Sequence, residues 1–333
     1  MSSVGLVLGA GGIAGQADHA GRLAAIESET GWDPRSARLI VGTSAGSITA
    51  TLLRSGVPAA DLAAWITRAP LSAEGEVVRE LFGEQFPQLE PLRPSHLLRR
   101  PSIPGPALIR RVALRPGQPP GAALLLTLLA PGHMDIVALL EPLKALDPPG
   151  WHAGDLWICA LRRRDGRRVV FGKEGSPAAP LHLAVSASCA VPGYFAPVTI
   201  DGVAYVDGGV HSPTNAAILR DQGLRLVLIV SPMSARRGPP TDINSWVSLH
   251  AELRLRLEVQ ALRRAGMDVV VFEPGPDEQD LIGGEWMSRR NVTGITQAAF
   301  DDAVARLRRP DVRSVLGRAG LHRDGGAAAD RSA

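Results

Sequence analysis

Short apolar runs and helix-period segments take turns along this chain. Residues 4–8, 38–41, 224–230 and 267–273 are near-continuous apolar stretches of strand length, as expected of strands buried on both faces. Residues 156–162, 168–172 and 204–207 also read as strands, and Asp165-Gly166 predicts a hairpin between the first two of these. Between the runs, apolar residues recur at three- and four-residue spacing. Over 17–29 the repeat is Ala20, Leu23, Ala24 and Ile26, and further helices are expected over 45–54, 61–68, 181–188, 243–265 and 297–308. Segment 243–265 reads as a long amphipathic helix with its charges on one face. Strands alternating with helices predict an α/β fold around a mainly parallel, buried sheet.

The pattern breaks between about 86 and 120, where eight prolines from Pro91 to Pro120 stand among leucines and arginines. This stretch reads as an insertion or lid on one domain spanning 1–310. Its segments Leu97-Leu98-Arg99-Arg100 and Ala107-Leu108-Ile109-Arg110-Arg111 fit either peripheral contact with an anionic bilayer or a solvated loop. Residues 122–140 are apolar, but Pro131-Gly132-His133-Met134-Asp135 interrupts them, so they are too broken to span a membrane. Residues 321–333 are small and polar and read as a disordered tail.

Composition narrows the classes. A hydrophobic share of 45% over 333 residues is ample for a sizeable core. The net charge is +3, and Lys144 and Lys173 are the only lysines. No basic patch is interleaved with aromatics, so a nucleic-acid partner is not expected. Cys159 and Cys189 lie in apolar segments and read as buried free thiols of a reducing compartment. No His/Cys cluster has zinc spacing, and no metal is expected. Residues 1–8 read as a first strand rather than a signal peptide, which gives a cytoplasmic expectation.

Three motifs carry candidate chemistry. Gly42-Thr43-Ser44-Ala45-Gly46 joins a predicted strand to a predicted helix, the context of a nucleophile elbow. Gly9-Ala10-Gly11-Gly12-Ile13-Ala14-Gly15 also leaves a strand and enters a helix, so its free N–H groups suit an anion. That anion is either a dinucleotide pyrophosphate or the oxyanion of acyl transfer. The dinucleotide reading demands an acid at the end of the second strand, and Ile40-Val41-Gly42-Thr43 offers none; Glu27 and Glu29 fall in the helix. Val206-Asp207-Gly208-Gly209 is either an ordinary turn or a carboxylate presented to a cleft. The small-residue stretch 186–197 ahead of it suits the tight wall of a site. Among the histidines, His211 and His250 follow Asp207 but fit loop ordering and a charged helix face, and His19 fits packing.

Together the motifs, in this order, resemble the patatin-like phospholipase family over residues 4–53 and 184–230. The resemblance implies a three-layer α/β/α sandwich and a Ser–Asp dyad acting on acyl esters of lipids, without a cofactor. Carried over residue by residue, Ser44 is the nucleophile, Asp207 its base, and Gly11 and Gly12 the oxyanion hole. Gly42, Thr43, Ala45 and Gly46 form the elbow, and Gly208 and Gly209 complete the D-G-G motif. Two residues depart from the family pattern: Ala10 stands for the first of three glycines, and Ala14 replaces a cation. A non-catalytic lipid- or acyl-binding module on the same fold is the alternative.

Overall fold

The structure, a computed structural model, describes residues 3–89, 132–148, 151, 156–235 and 243–321. The proline-rich insertion beyond residue 89 and the tail beyond 321 lie outside the described residues, as do both Leu/Arg segments. Five strands form the parallel part of one sheet: β1 (Val4–Leu8), β2 (Leu39–Thr43), β3 (Leu156–Arg162), β7 (Leu226–Val230) and β8 (Asp268–Phe272). Three strands are antiparallel: β4 (Arg167–Phe171) on β3, and β6 (Val203–Asp207) between β3 and β5 (Val198–Ile200).

Side chains of the parallel strands alternate between two apolar layers. Leu6 and Leu8 of β1 and Leu228 and Val230 of β7 pack into the larger core. That core is completed by α1 (Gly12–Thr30), α2 (Ala45–Arg54), α3 (Ala59–Thr67), α6 (Leu181–Cys189), α9 (Val292–Leu307) and α10 (Pro310–Arg318). Val7, Val227 and Ile229 point the other way, against Leu255 and Leu262 of α7 (Ile243–Arg264). Helices therefore cover both faces of a mainly parallel sheet, which is a three-layer α/β/α sandwich.

Several elements differ from the sequence expectation. The first helix starts at Gly12, not Ala17, so the glycine loop is shorter than its motif. The C-terminal helix starts at Val292 rather than Gln297. Four helices carried no clear period: α4 (Glu76–Phe82), α5 (Ile136–Leu139), α8 (Pro276–Ile282) and α10. They are short, and a helix of two turns shows too few repeats to stand out. No helix among the described residues is long and apolar enough to cross a membrane.

The sheet register positions the site. Thr43, the last residue of β2, pairs with Cys159, and Asp207, the last residue of β6, pairs with the next residue, Ala160. β4 runs along 158–162 and overlaps both pairings, so β2 and β6 share the other edge of β3. One strand enters parallel and the other antiparallel, and both end at the same point. Ser44 and Asp207 meet because two chain ends converge on one edge.

Candidate active site

Ser44 stands between β2 and α2 with φ 53° and ψ −123°, a backbone region that L-residues rarely occupy and that costs on the order of 1–3 kcal/mol. The flanking glycines make this possible. A Cβ on Gly46 would lie 2.0 Å from the Leu8 carbonyl oxygen, so only glycine lets α2 approach β1 this closely. The turn is held from several directions. Ser188 Oγ accepts a hydrogen bond from the Ser44 N–H at 2.9 Å and donates to the Cys159 carbonyl at 2.7 Å. Ser47 Oγ donates to the Ser44 carbonyl at 2.7 Å.

The Asp207 carboxylate accepts from the Gly209 N–H at 2.6 Å and lies near enough to the Ser44 side chain for that side chain to lower its pKa. Ser44 and Asp207 are both buried. Burial pushes the Asp207 pKa up to about 7, against the downward pull of the Ser44 side chain and the Gly209 N–H. Below the pair lies a brace. Asn215, fully buried and left-handed at φ 53°, donates to Thr43 Oγ1 at 3.2 Å and to the carbonyls of Ser212 at 2.6 Å and Gly208 at 3.4 Å. Its Oδ1 accepts from Arg168 at 3.2 Å. It thus ties the residue before Ser44 to the residue after Asp207.

The glycine loop faces this pair. The Ala10 N–H donates to the Pro213 carbonyl and the Ala14 N–H to the Trp286 carbonyl. The N–H groups of Gly11 and Gly12 have no acceptor among the described residues. Gly12 has φ 59°, and a Cβ there would lie 2.6 Å from the Trp286 carbonyl oxygen. Ala10 and Ala14 are both buried.

Ser44 opens onto an apolar pocket. Its walls are Trp65, Phe82, Phe86, Ile136, Leu140 and Phe195, with Met287 beside Gly12. Trp65 and Phe86 meet edge to face with centroids 4.7 Å apart. No charged side chain and no imidazole lines it among the described residues. His211 Nε2 lies 3.3 Å from Arg254. His19 is buried under α2 with Nδ1 3.3 Å from Thr49 Oγ1, and burial lowers its pKa to about 4. His250 is half-buried. Cys159 and Cys189 are free and buried, and burial raises both thiol pKa values.

All the motif residues named from the sequence converge here. Asn215, Ser188, the aromatic walls and Trp286-Met287 carried no local signal of their own. The scarcity of aromatics, 4% of the chain, was the one available hint that Trp65, Phe82 and Phe86 cluster for a reason.

A sequence model of one protein family, described as patatin-like phospholipase, matches residues 6–220 of this chain. The match spans more than half of the chain and includes all three motifs. The chain belongs to the patatin-like phospholipases.

Proposed function

We propose that this member of the patatin-like phospholipases is a serine acyl hydrolase cleaving carboxylic esters of lipids through Ser44 and Asp207. The observation that carries the reading is a strained serine hydroxyl, facing a buried carboxylate, at the end of an uncharged apolar pocket. Ser44 Oγ attacks the ester carbonyl carbon while its proton passes to Asp207. A carboxylate is a weak base, and a pKa near 7 brings Asp207 close to the pH at which general bases work best. The carbonyl oxygen becomes an oxyanion facing the Gly11 and Gly12 N–H groups, donors typically worth roughly 3 kcal/mol each in such transition states. Collapse expels the alcohol, which takes the proton from Asp207. Water then attacks the acyl-enzyme with Asp207 again as base, and the fatty acid leaves. The pocket takes the acyl chain, because its lining offers no partner for a charged group.

Labelling with a fluorophosphonate ester, together with turnover of a soluble short-chain ester, tests this. Wild type labels and turns over; Ser44→Ala does neither; Asp207→Asn loses roughly 10³-fold in kcat/KM or more. Well-folded wild type that never labels would assign the chain instead to non-catalytic acyl binding. Full activity in Asp207→Asn would remove Asp207 as the base.

A further inference from the structure

All the large hydrophobic side chains that stand exposed among the described residues lie on one helix. They are Trp246, Val247, Leu253 and Leu257 of α7, and Trp246, Leu253 and Leu257 are 58%, 50% and 59% exposed. Spacings of seven and four residues put these three on a single stripe. The opposite side of α7 is spent on the fold: Ala251, Leu255 and Leu262 are buried, and Glu258 turns inward to Thr214 Oγ1 and the Ala216 N–H. The expectation of a simply charged outer face is therefore corrected, because the outward stripe is apolar and its flanks are cationic. Arg256, Arg263 and Arg264 are exposed, and the one other acid of the helix, Glu252, is engaged by Arg256.

We propose that this outer face of α7 docks the protein on an anionic lipid surface. The identity of that surface rests on the lipid-ester reading above. The charge balance selects a polyanionic plane rather than an acidic pocket, since Arg256, Arg263 and Arg264 stand outward in the C-terminal half of the helix and do not close on one point. Trp246 has the amphipathic ring favoured at headgroup depth. A second copy of the chain fits the face less well. It would bring like-charged arginines together, over a stripe too small for the roughly 800 Å² per partner of a stable interface. The end of α7 that carries Trp246 touches the segment walling the pocket: a Cβ on Gly284 would lie 3.2 Å from Asn244 Nδ2, and Met287 follows three residues later.

The test is co-pelleting of the full chain with vesicles of phosphatidylcholine alone, and of phosphatidylcholine and phosphatidylglycerol in equal parts. Soluble short-chain ester turnover is followed alongside. Wild type partitions onto the anionic vesicles. The triple variant Trp246→Ala, Leu253→Ala, Leu257→Ala partitions roughly tenfold less or worse. Arg256→Glu with Arg264→Glu loses the preference for anionic over neutral vesicles. Both variants keep wild-type turnover of the soluble ester, because neither touches the pocket. Wild type that turns over the soluble ester but ignores both vesicles overturns the docking alone. Wild type that binds vesicles and hydrolyses nothing overturns the hydrolase and leaves the docking. Equal binding to neutral vesicles, or a concentration-dependent dimer dissolved by the triple variant, overturns the proposal.

Discussion

At the scale of single residues, the central quantity is the proton on Asp207. Its folded-state pKa of about 7 lies above the usual carboxylate value because burial disfavours the charge. As the proposed base it must be ionised, so kcat/KM for a neutral ester should fall about tenfold per pH unit below that pKa and level off above it. A profile flat down to pH 5 would sink Asp207 as the titrating base. The same shift has a cost in stability, and its sign follows from proton counting. Between the unfolded pKa near 4 and the folded one near 7, the native state binds more protons than the unfolded chain, so stability falls as pH rises through that window. Above it the penalty is complete, on the order of 4 kcal/mol. Asp207→Asn, which keeps an acceptor for the Gly209 N–H, is therefore expected to melt higher than wild type at pH 8 and no higher at pH 4. An equal melting difference at both pH values would show that ionisation is not what strains the site. Residues such as Ser44 and Asp207 were legible in the sequence because their constraints are local: a turn that only glycine neighbours permit, a strand end followed by two glycines. Asn215 has no such mark. Its hydrogen bonds reach Thr43, 172 residues away, and only the folded edge of β3 makes that separation small.

At the scale of elements, helix α1 is fixed among its neighbours by a buried ion cluster rather than by apolar packing alone. Arg22 is fully buried and meets Asp18 at 2.6 Å, Glu278 of α8 at 2.7 Å, Asp302 of α9 at 2.8 Å and the Glu273 carbonyl at 2.9 Å. Two buried carboxylates, Asp18 and Glu278, and the part-exposed Asp302 around one guanidinium leave an excess of negative charge there. Burial and the neighbouring Asp18 push the Glu278 pKa well up, which favours its neutral form, and Asp18 Oδ2 and Glu278 Oε1 are both buried without another partner among the described residues. Glu278→Gln is thus expected to change unfolding free energy at pH 7 by no more than about 1 kcal/mol, since Gln also donates. Arg22→Leu should cost about 3–5 kcal/mol by stranding Asp18. Urea denaturation of both variants checks this, and a Glu278→Gln loss as large as that of Arg22→Leu would mean that Glu278 is ionised. The helical period revealed α1, yet it could not reveal that Asp18 and Arg22 lie on its buried side. Burial by α3 and α9 all round the helix overrides the rule that charges face water.

At the scale of the whole molecule, the site is not closed by the part of the chain that carries its motifs. The family match ends at residue 220, and the motifs end at Gly209. The glycine loop is nevertheless held by residues 285–290. Trp286 accepts from Ala14, Met287 packs on Gly12, and Arg289 donates to the Phe86 carbonyl at 3.3 Å and to Gln88 Oε1 at 2.9 Å. One short segment therefore links the glycine loop to the aromatic wall of the pocket. Nothing in the local sequence marks it, because it has no period and its partners are hundreds of residues away. Its position makes Met287 a control on acyl length that is separable from the chemistry. Met287 is flexible and unbranched, and it fills the pocket beside the reacting centre without a polar contact. Replacing it by the larger, stiffer Trp narrows the pocket and leaves the Gly12 amide, Ser44 and Asp207 in place. Met287→Trp is expected to keep kcat/KM for a two-carbon acyl ester within about threefold of wild type. For a ten-carbon acyl ester it should lose at least about tenfold, on the scale of one to three kcal/mol for a misfit in an apolar pocket. Chain-length profiles on soluble p-nitrophenyl esters measure both numbers. An equal loss at both lengths would place Met287 as a support of the glycine loop instead, and a flat profile in wild type and variant alike would put the acyl chain outside this pocket.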